Sequence, residues 1–79
     1  NKIDLLNIDV EGHEIEVLSG SDFKLFRPKI ITIEIHVKKT EDIFKTRVFK
    51  ILQQNKYELI SHYYHTCFFK AVEFEIETL

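Results

Sequence analysis

The sequence holds 79 residues, 44% apolar and 30% charged, with two glycines and one proline. That composition excludes low complexity and disorder, and the length fits one small domain or part of a larger one, burying about 60% of its unfolded surface. A formal charge of −2 gives no electrostatic case for nucleic acid or an anionic membrane as partner, and no apolar run approaches the ~18–20 residues of a membrane span. Cys67 is the sole cysteine, which rules out an internal disulfide and a cysteine-based zinc site. Its apolar, aromatic neighbours suit a buried, inert thiol. With no signal peptide in view, a cytoplasmic, reducing location is the expectation. The chain begins without methionine and opens straight into a strand pattern, which suggests a piece of a longer domain.

The first element covers about Ile3–Val10, a nearly continuous apolar run that ends in Asp9, Glu11 and Gly12. Such a run suits a strand buried on both faces of a parallel sheet. In open α/β sheets the carboxyl ends of strands are where ligands collect. Past Gly12 the pattern becomes helical: Ile15 and Leu18 lie three apart, and Glu11, Glu14 and Glu16 crowd the first turn, where carboxylates favour the helix dipole. Gly20 suits the C′ position, Ser21 can cap a short turn over Asp22–Phe26, and Pro28 stops it. The second strand spans Lys29–Val37, with Ile31, Ile33 and Ile35 on one side and Thr32, Glu34 and His36 on the other. Thr40 then caps a helix carrying Phe44, Val48, Ile51 and Leu52 at helical spacing, ended by Asn55. A third strand covers Tyr57–Tyr64, a turn falls at His65–Thr66, and a fourth strand over Cys67–Glu77 alternates Val72, Phe74 and Ile76 with Glu73, Glu75 and Glu77. The order is β-α-β-α-β-β, with right-handed crossovers and a closing antiparallel hairpin.

The run Asp9-Val10-Glu11-Gly12-His13-Glu14, then Leu18-Ser19-Gly20, then Pro28 followed by the strand bearing Glu34, resembles the C-terminal half of FkbM-family methyltransferases. The resemblance extends over essentially the whole chain. It implies an α/β fold, a partial class I methyltransferase (Rossmann-like) sheet in which these four strands are the fourth to seventh of seven and the last is antiparallel. It also implies S-adenosylmethionine (SAM) as cofactor and methylation of an oxygen on a sugar, polyketide or similar small-molecule acceptor. Gly12 and Gly20 lie eight apart, so no G-x-G-x-x-G loop can be written, and the fragment is expected to lack most of the SAM site and to be inactive alone. The resemblance departs at Asn7, where family members often carry lysine.

Asp9, Glu11 and Glu34 are the candidate catalytic residues, positioning an acceptor hydroxyl or serving as general base, with Asp9 also on the cofactor. Asn7, His13 and His36 are candidates for substrate binding. Asp9 and Glu11 equally suit capping of the next helix, His13 a solvated position, and Glu34 with His36 a structural pair or, with Asp9, a metal set; no metal is assigned. His62, Tyr63, Tyr64 and His65 suit either hairpin packing or contact with an acceptor or partner. Two other functions compete: a non-catalytic interaction or remnant domain of the same fold, and a metal-dependent nuclease built on Asp-x-Glu. Against the nuclease stand His36, where a lysine would be wanted, and the absence of a basic stripe. An unpaired apolar edge along Ile3–Ile8 would favour homo-oligomers.

Overall fold

The computed structural model describes residues 5–8, 14–20 and 22–75. Strand β1 (Leu5–Ile8) leads to helix α1 (Glu14–Ser19), strand β2 (Ile30–Glu34), a 3-10 helix (Thr40–Lys45), helix α2 (Arg47–Gln54) and strands β3 (Tyr57–Tyr63) and β4 (Thr66–Ala71). The four strands form one mixed sheet in the order β1-β2-β4-β3. β1 runs parallel to β2, while β4 is antiparallel to both β2 and β3. The last strand in sequence is therefore inserted into the middle of the sheet.

Register assigns the two faces. Leu6, Ile31, Phe69 and Leu59 stand in one row, and Ile8, Ile33, Cys67 and His62 in the next. Residues in a row share a face because the side-chain period of a strand is two. These rows join Leu18 of α1, Phe23, Ile43 and Leu52 of α2 in a single buried cluster. Both helices thus cover the same face, and the molecule is a slab 20 Å thick, the depth of one sheet and one helical layer. The other face carries Leu5, Asn7, Thr32, Glu34, Thr66 and Phe68 and has no helix over it among the described residues. β1 forms an outer edge of the sheet, with Leu5 59% exposed.

Several element boundaries differ from the sequence expectation. Thr40 does not cap α2: residues Thr40–Lys45 form a 3-10 helix whose N-cap, Lys39, makes no side-chain cap bond. The cap of α2 is Thr46, whose Oγ1 accepts from the Phe49 amide at 3.1 Å. Asn55 does end α2, its side-chain amide donating to the Ile51 carbonyl at 2.8 Å, and Lys56 then takes the left-handed backbone with φ 65°. Gly20 continues the helical bonding of α1, its amide donating to Glu16 at 3.0 Å, without a left-handed turn. Asp22 holds the next turn, accepting the Lys24 amide on Oδ1 and the Leu25 and Phe26 amides on its carbonyl; Ser21 lies outside the described residues. β2 stops at Glu34, so His36 stands beyond the strand.

β4 stops at Ala71 instead of running to Glu77. Val72 and Glu73 form a turn, so the alternation expected over residues 72–75 does not extend the strand; Ile76 and Glu77 lie outside the described residues. Arg27 is the reason. Its guanidinium donates to both carboxylate oxygens of Glu73, to the Asn55 carbonyl (2.8 Å) and to the Lys56 carbonyl (3.0 Å). It also lies 4.6 Å from the centroid of the Tyr57 ring. The bond from Arg27 holds the Glu73 carboxyl below its usual range, and the same bond raises the pKa of Arg27.

Two buried acids predict a response to alkali. Burial pushes the Tyr57 hydroxyl up to about 12, against the smaller opposing effect of Arg27, and pushes the Cys67 thiol up to about 11. Both groups keep protons in the folded chain that the unfolded chain releases at their ordinary values of 10.0 and 9.0. Their contribution is fully present below pH 9 and decays as the pH climbs toward 12. The urea midpoint is therefore expected to fall steadily between pH 9 and pH 11. A flat midpoint across that range would refute the burial of both groups.

Candidate functional site

The open face of the sheet contains a cleft of about 350 Å³ lined by Leu5, Asn7, Thr32, Ile33, Glu34, Thr66 and Phe68. Its polar groups come from three adjacent strands. Asn7 and Thr32 are register partners, and the Thr32 hydroxyl donates to Asn7 Oδ1 at 2.8 Å. Glu34 is the register partner of Thr66 at the carboxyl end of β2. Leu5 and Phe68 supply apolar surface beside them. A few fixed polar groups set against apolar walls are the ordinary make-up of a small-molecule site.

Beyond Glu34 the site continues as three rings in tilted contact. His36 Nε2 lies 3.3 Å from Glu34 Oε1. The His36 ring lies 4.2 Å from the His65 ring, and His65 lies 4.4 Å from Tyr64, centroid to centroid. The Ile35 amide donates to the His65 carbonyl at 2.8 Å, which ties the end of β2 to the β3–β4 turn. That turn comprises Tyr64 and His65, one residue earlier than the sequence suggests, because Tyr63 pairs with Thr66.

The structure therefore brings Asn7, Glu34 and His36 of the candidate residues to one region. Asp9, Glu11 and His13 lie outside the described residues, as does Gly12. Thr32, Thr66 and Phe68 complete the cleft and were not singled out from the sequence, although Thr32 stands two residues before Glu34 on the same side of an alternating strand. The hairpin aromatics split. His62 turns inward, with Nε2 buried and without a hydrogen-bond partner among the described residues, whereas Tyr63 and Tyr64 are 78% and 81% exposed. Tyr64 rests against the His65 ring within the hairpin. Among the described residues no group of three or more histidine, cysteine, aspartate or glutamate side chains is placed to hold a metal ion, and no helix is long and apolar enough to cross a membrane.

Residues 1–59 match the family model described as the Methyltransferase FkbM domain. The chain belongs to the FkbM methyltransferase domain family. No match emerges among curated proteins, and none among solved structures. Within this FkbM domain the matched segment takes in β1, α1, β2 and α2 and hence Asn7, Thr32 and Glu34 of the cleft. Thr66, Phe68 and the Tyr64–His65 turn lie past its end.

Among the described residues, Gly20 opens no cradle for a nucleoside cofactor. Gly20 is the described glycine, and a side chain added there would meet the Glu16 carbonyl at 3.3 Å and the Val17 carbonyl at 3.9 Å. Its missing side chain leaves room for its own helix and not for a ligand.

Proposed function

We propose that the chain is the C-terminal, acceptor-side part of a class I, Rossmann-like SAM-dependent methyltransferase domain that acts on a hydroxyl oxygen of a small molecule. The observation that carries this reading is Glu34: a carboxylate at the carboxyl end of a parallel strand, opening into a cleft, inside the segment that matches the FkbM family. The parallel β1–β2 pair followed by an antiparallel strand inserted between β2 and β3 agrees with the fourth, fifth, seventh and sixth strands of such a sheet. In this reading SAM supplies the methyl group and is held chiefly by segments outside the described residues. The part played by this chain is to bind the acceptor. Leu5 and Phe68 take its apolar surface, the Asn7–Thr32 pair fixes one edge, and Glu34 accepts the hydrogen of the reacting hydroxyl and then its proton.

The test has two readouts. Calorimetry with SAM is expected to show binding when the chain is extended N-terminally by about 100 residues, toward full domain size, and none with the 79 residues alone. In the extended polypeptide, Glu34→Gln is expected to lower transfer of labelled methyl to a hydroxyl acceptor by about 10²–10⁴-fold with circular dichroism unchanged. Tight SAM binding by the 79 residues alone, or full transfer by the glutamine variant, would overturn the assignment.

A further inference from the structure

A second cavity, larger than the Glu34 cleft, lies at the opposite end of β2. It holds about 550 Å³, with Phe23 and Val72 as apolar walls and Lys24, Arg27, Lys56 and Glu73 as charged groups. Three cations against one carboxylate leave a surplus of positive charge, in a chain whose formal charge is −2. Among the described residues neither Lys24 nor Lys56 pairs with a carboxylate. Lys56 is also an unusual occupant of its position. It follows the Asn55 cap of α2 with φ 65°, its amide donating to the Gln53 carbonyl at 3.0 Å. Glycine is the usual residue there, because a side chain strains a left-handed backbone. Lys56 is exposed, so burial does not offset the strain. What the side chain adds is an ammonium on the cavity wall. Arg27 shows which anion suits the place, since its fork already holds the Glu73 carboxylate through two bonds, the paired geometry by which arginine selects carboxylates.

We infer that this cavity is a binding site for a small organic acid. The carboxylate of the ligand lies between Lys24, Lys56 and the Arg27 fork, its apolar body rests on Phe23 and Val72, and Glu73 is a built-in competitor for the fork. Glu73 suits that part because its carboxylate is more than half exposed and sits on a turn, where an ion pair is weak and a second carboxylate can displace it. A bare inorganic anion would leave the apolar walls wet and most of the volume empty. A neutral molecule would leave the surplus charge unanswered. The combination of apolar walls with a few charged groups selects an amphipathic acid. The cavity shares no lining residue with the Glu34 cleft, so the inference is independent of the acceptor reading. Val72 and Glu73 lie past residue 59, outside the segment that matches the family.

The test is a nitrogen-15 NMR titration of the full 79-residue chain with 4-phenylbutyrate, and with 4-phenylbutyramide and acetate as counterparts at the same ionic strength. The amide keeps the apolar body without the charge, and acetate keeps the charge without the body. Phenylbutyrate is expected to shift the amides of Lys24, Lys56, Val72 and Glu73 and to bind at least about fivefold more tightly than either counterpart. Lys56→Gly is expected to weaken phenylbutyrate at least about threefold while raising the thermal midpoint, because it removes an ammonium and relieves the strain together. Glu73→Ala is expected to tighten binding at least about threefold, because the competitor is gone. Both variants keep Arg27 and its carbonyl contacts, so the fold is retained. Absence of a saturable shift, shifts centred on Asn7, Thr32 and Glu34, or equal binding of the acid and either counterpart would overturn the site. So would an unchanged affinity or a lowered midpoint in Lys56→Gly. An unchanged or weakened affinity in Glu73→Ala would overturn the competition.

Discussion

Arg27→Ala is expected to lower the unfolding free energy by about 2–3 kcal/mol, read as a fall in the urea midpoint. The side chain reaches three separate parts of the fold: the turn after β4 through Glu73, the carboxyl end of α2 through the Asn55 and Lys56 carbonyls, and the face of Tyr57. The last carbonyls of a helix have no partner within it, and a cation there also suits the helix dipole. The contact with Glu73 contributes the smaller share. That carboxylate is more than half exposed, and exposed ion pairs contribute about 0–1 kcal/mol. Glu73→Ala is therefore expected to cost less than about 1 kcal/mol. Arg27→Lys recovers little, because an ammonium cannot present a planar fork to a carboxylate and two carbonyls at once. If the alanine variants of Arg27 and Glu73 were equally stable, the carbonyl contacts would carry none of the effect and the argument would fail.

The larger expected loss belongs to Phe69→Ala, at about 3–5 kcal/mol. Phe69 is fully buried (0% exposed) on the central strand β4, between Ile31 of β2 and Leu59 of β3, with its ring 6.2 Å from that of Phe49 in α2. Truncation removes the residue that the two halves of the sheet and the helical layer share, and the rigid neighbours close the void only in part. A chain of this length has a total stability of roughly 4–12 kcal/mol at typical values per residue, so the loss takes a quarter or more of it and, toward the lower end, leaves a substantial unfolded population at room temperature. Phe44→Ala is the comparison. Phe44 also meets Phe49, edge to face at 5.0 Å, but is half exposed and is expected to cost under about 1 kcal/mol. Equal losses at the two positions would mean that Phe69 does not organise the core.

The parts of this fold that were legible in the sequence depend on local periodicity. The isoleucines of β2 alternate, the residues that fill α2 recur at helical spacing, and Asn55 marks a stop. What was missed depends on partners distant in sequence. Nothing near Arg27 shows that it will meet residues 28, 29 and 46 positions away, and that clasp turns Glu73 out of a strand pattern which otherwise runs on to Glu77. Two threonines compete for the cap of α2. Thr40, with Glu41 and Asp42 behind it, carries the stronger local signal, yet Thr46 has the bond because a 3-10 helix intervenes. The β3–β4 turn lacked glycine or asparagine, so the chemistry that usually marks a turn was absent, and the boundary slipped by one residue. Within the site, Glu34 and His36 were found from their shared strand side. The His65 ring that rests against His36 comes from the hairpin, and only tertiary structure brings it there.

The central place of β4 also bears on how the chain is made. β2 meets β4 across forty residues, as between Ile30 and Lys70, whereas β3 and β4 are joined by two. Closing the longer loop costs more entropy before any contact compensates it. During synthesis the β1–α1–β2 unit emerges first, with one flank of β2 unpaired until residue 71 has left the ribosome. The local hairpin can form at once when β4 appears, and it then docks onto the waiting flank of β2. Until that moment Ile31 and Ile33 have β1 beside them on one flank only and lack Phe69 to complete their layer, which leaves the nascent chain open to association with other chains.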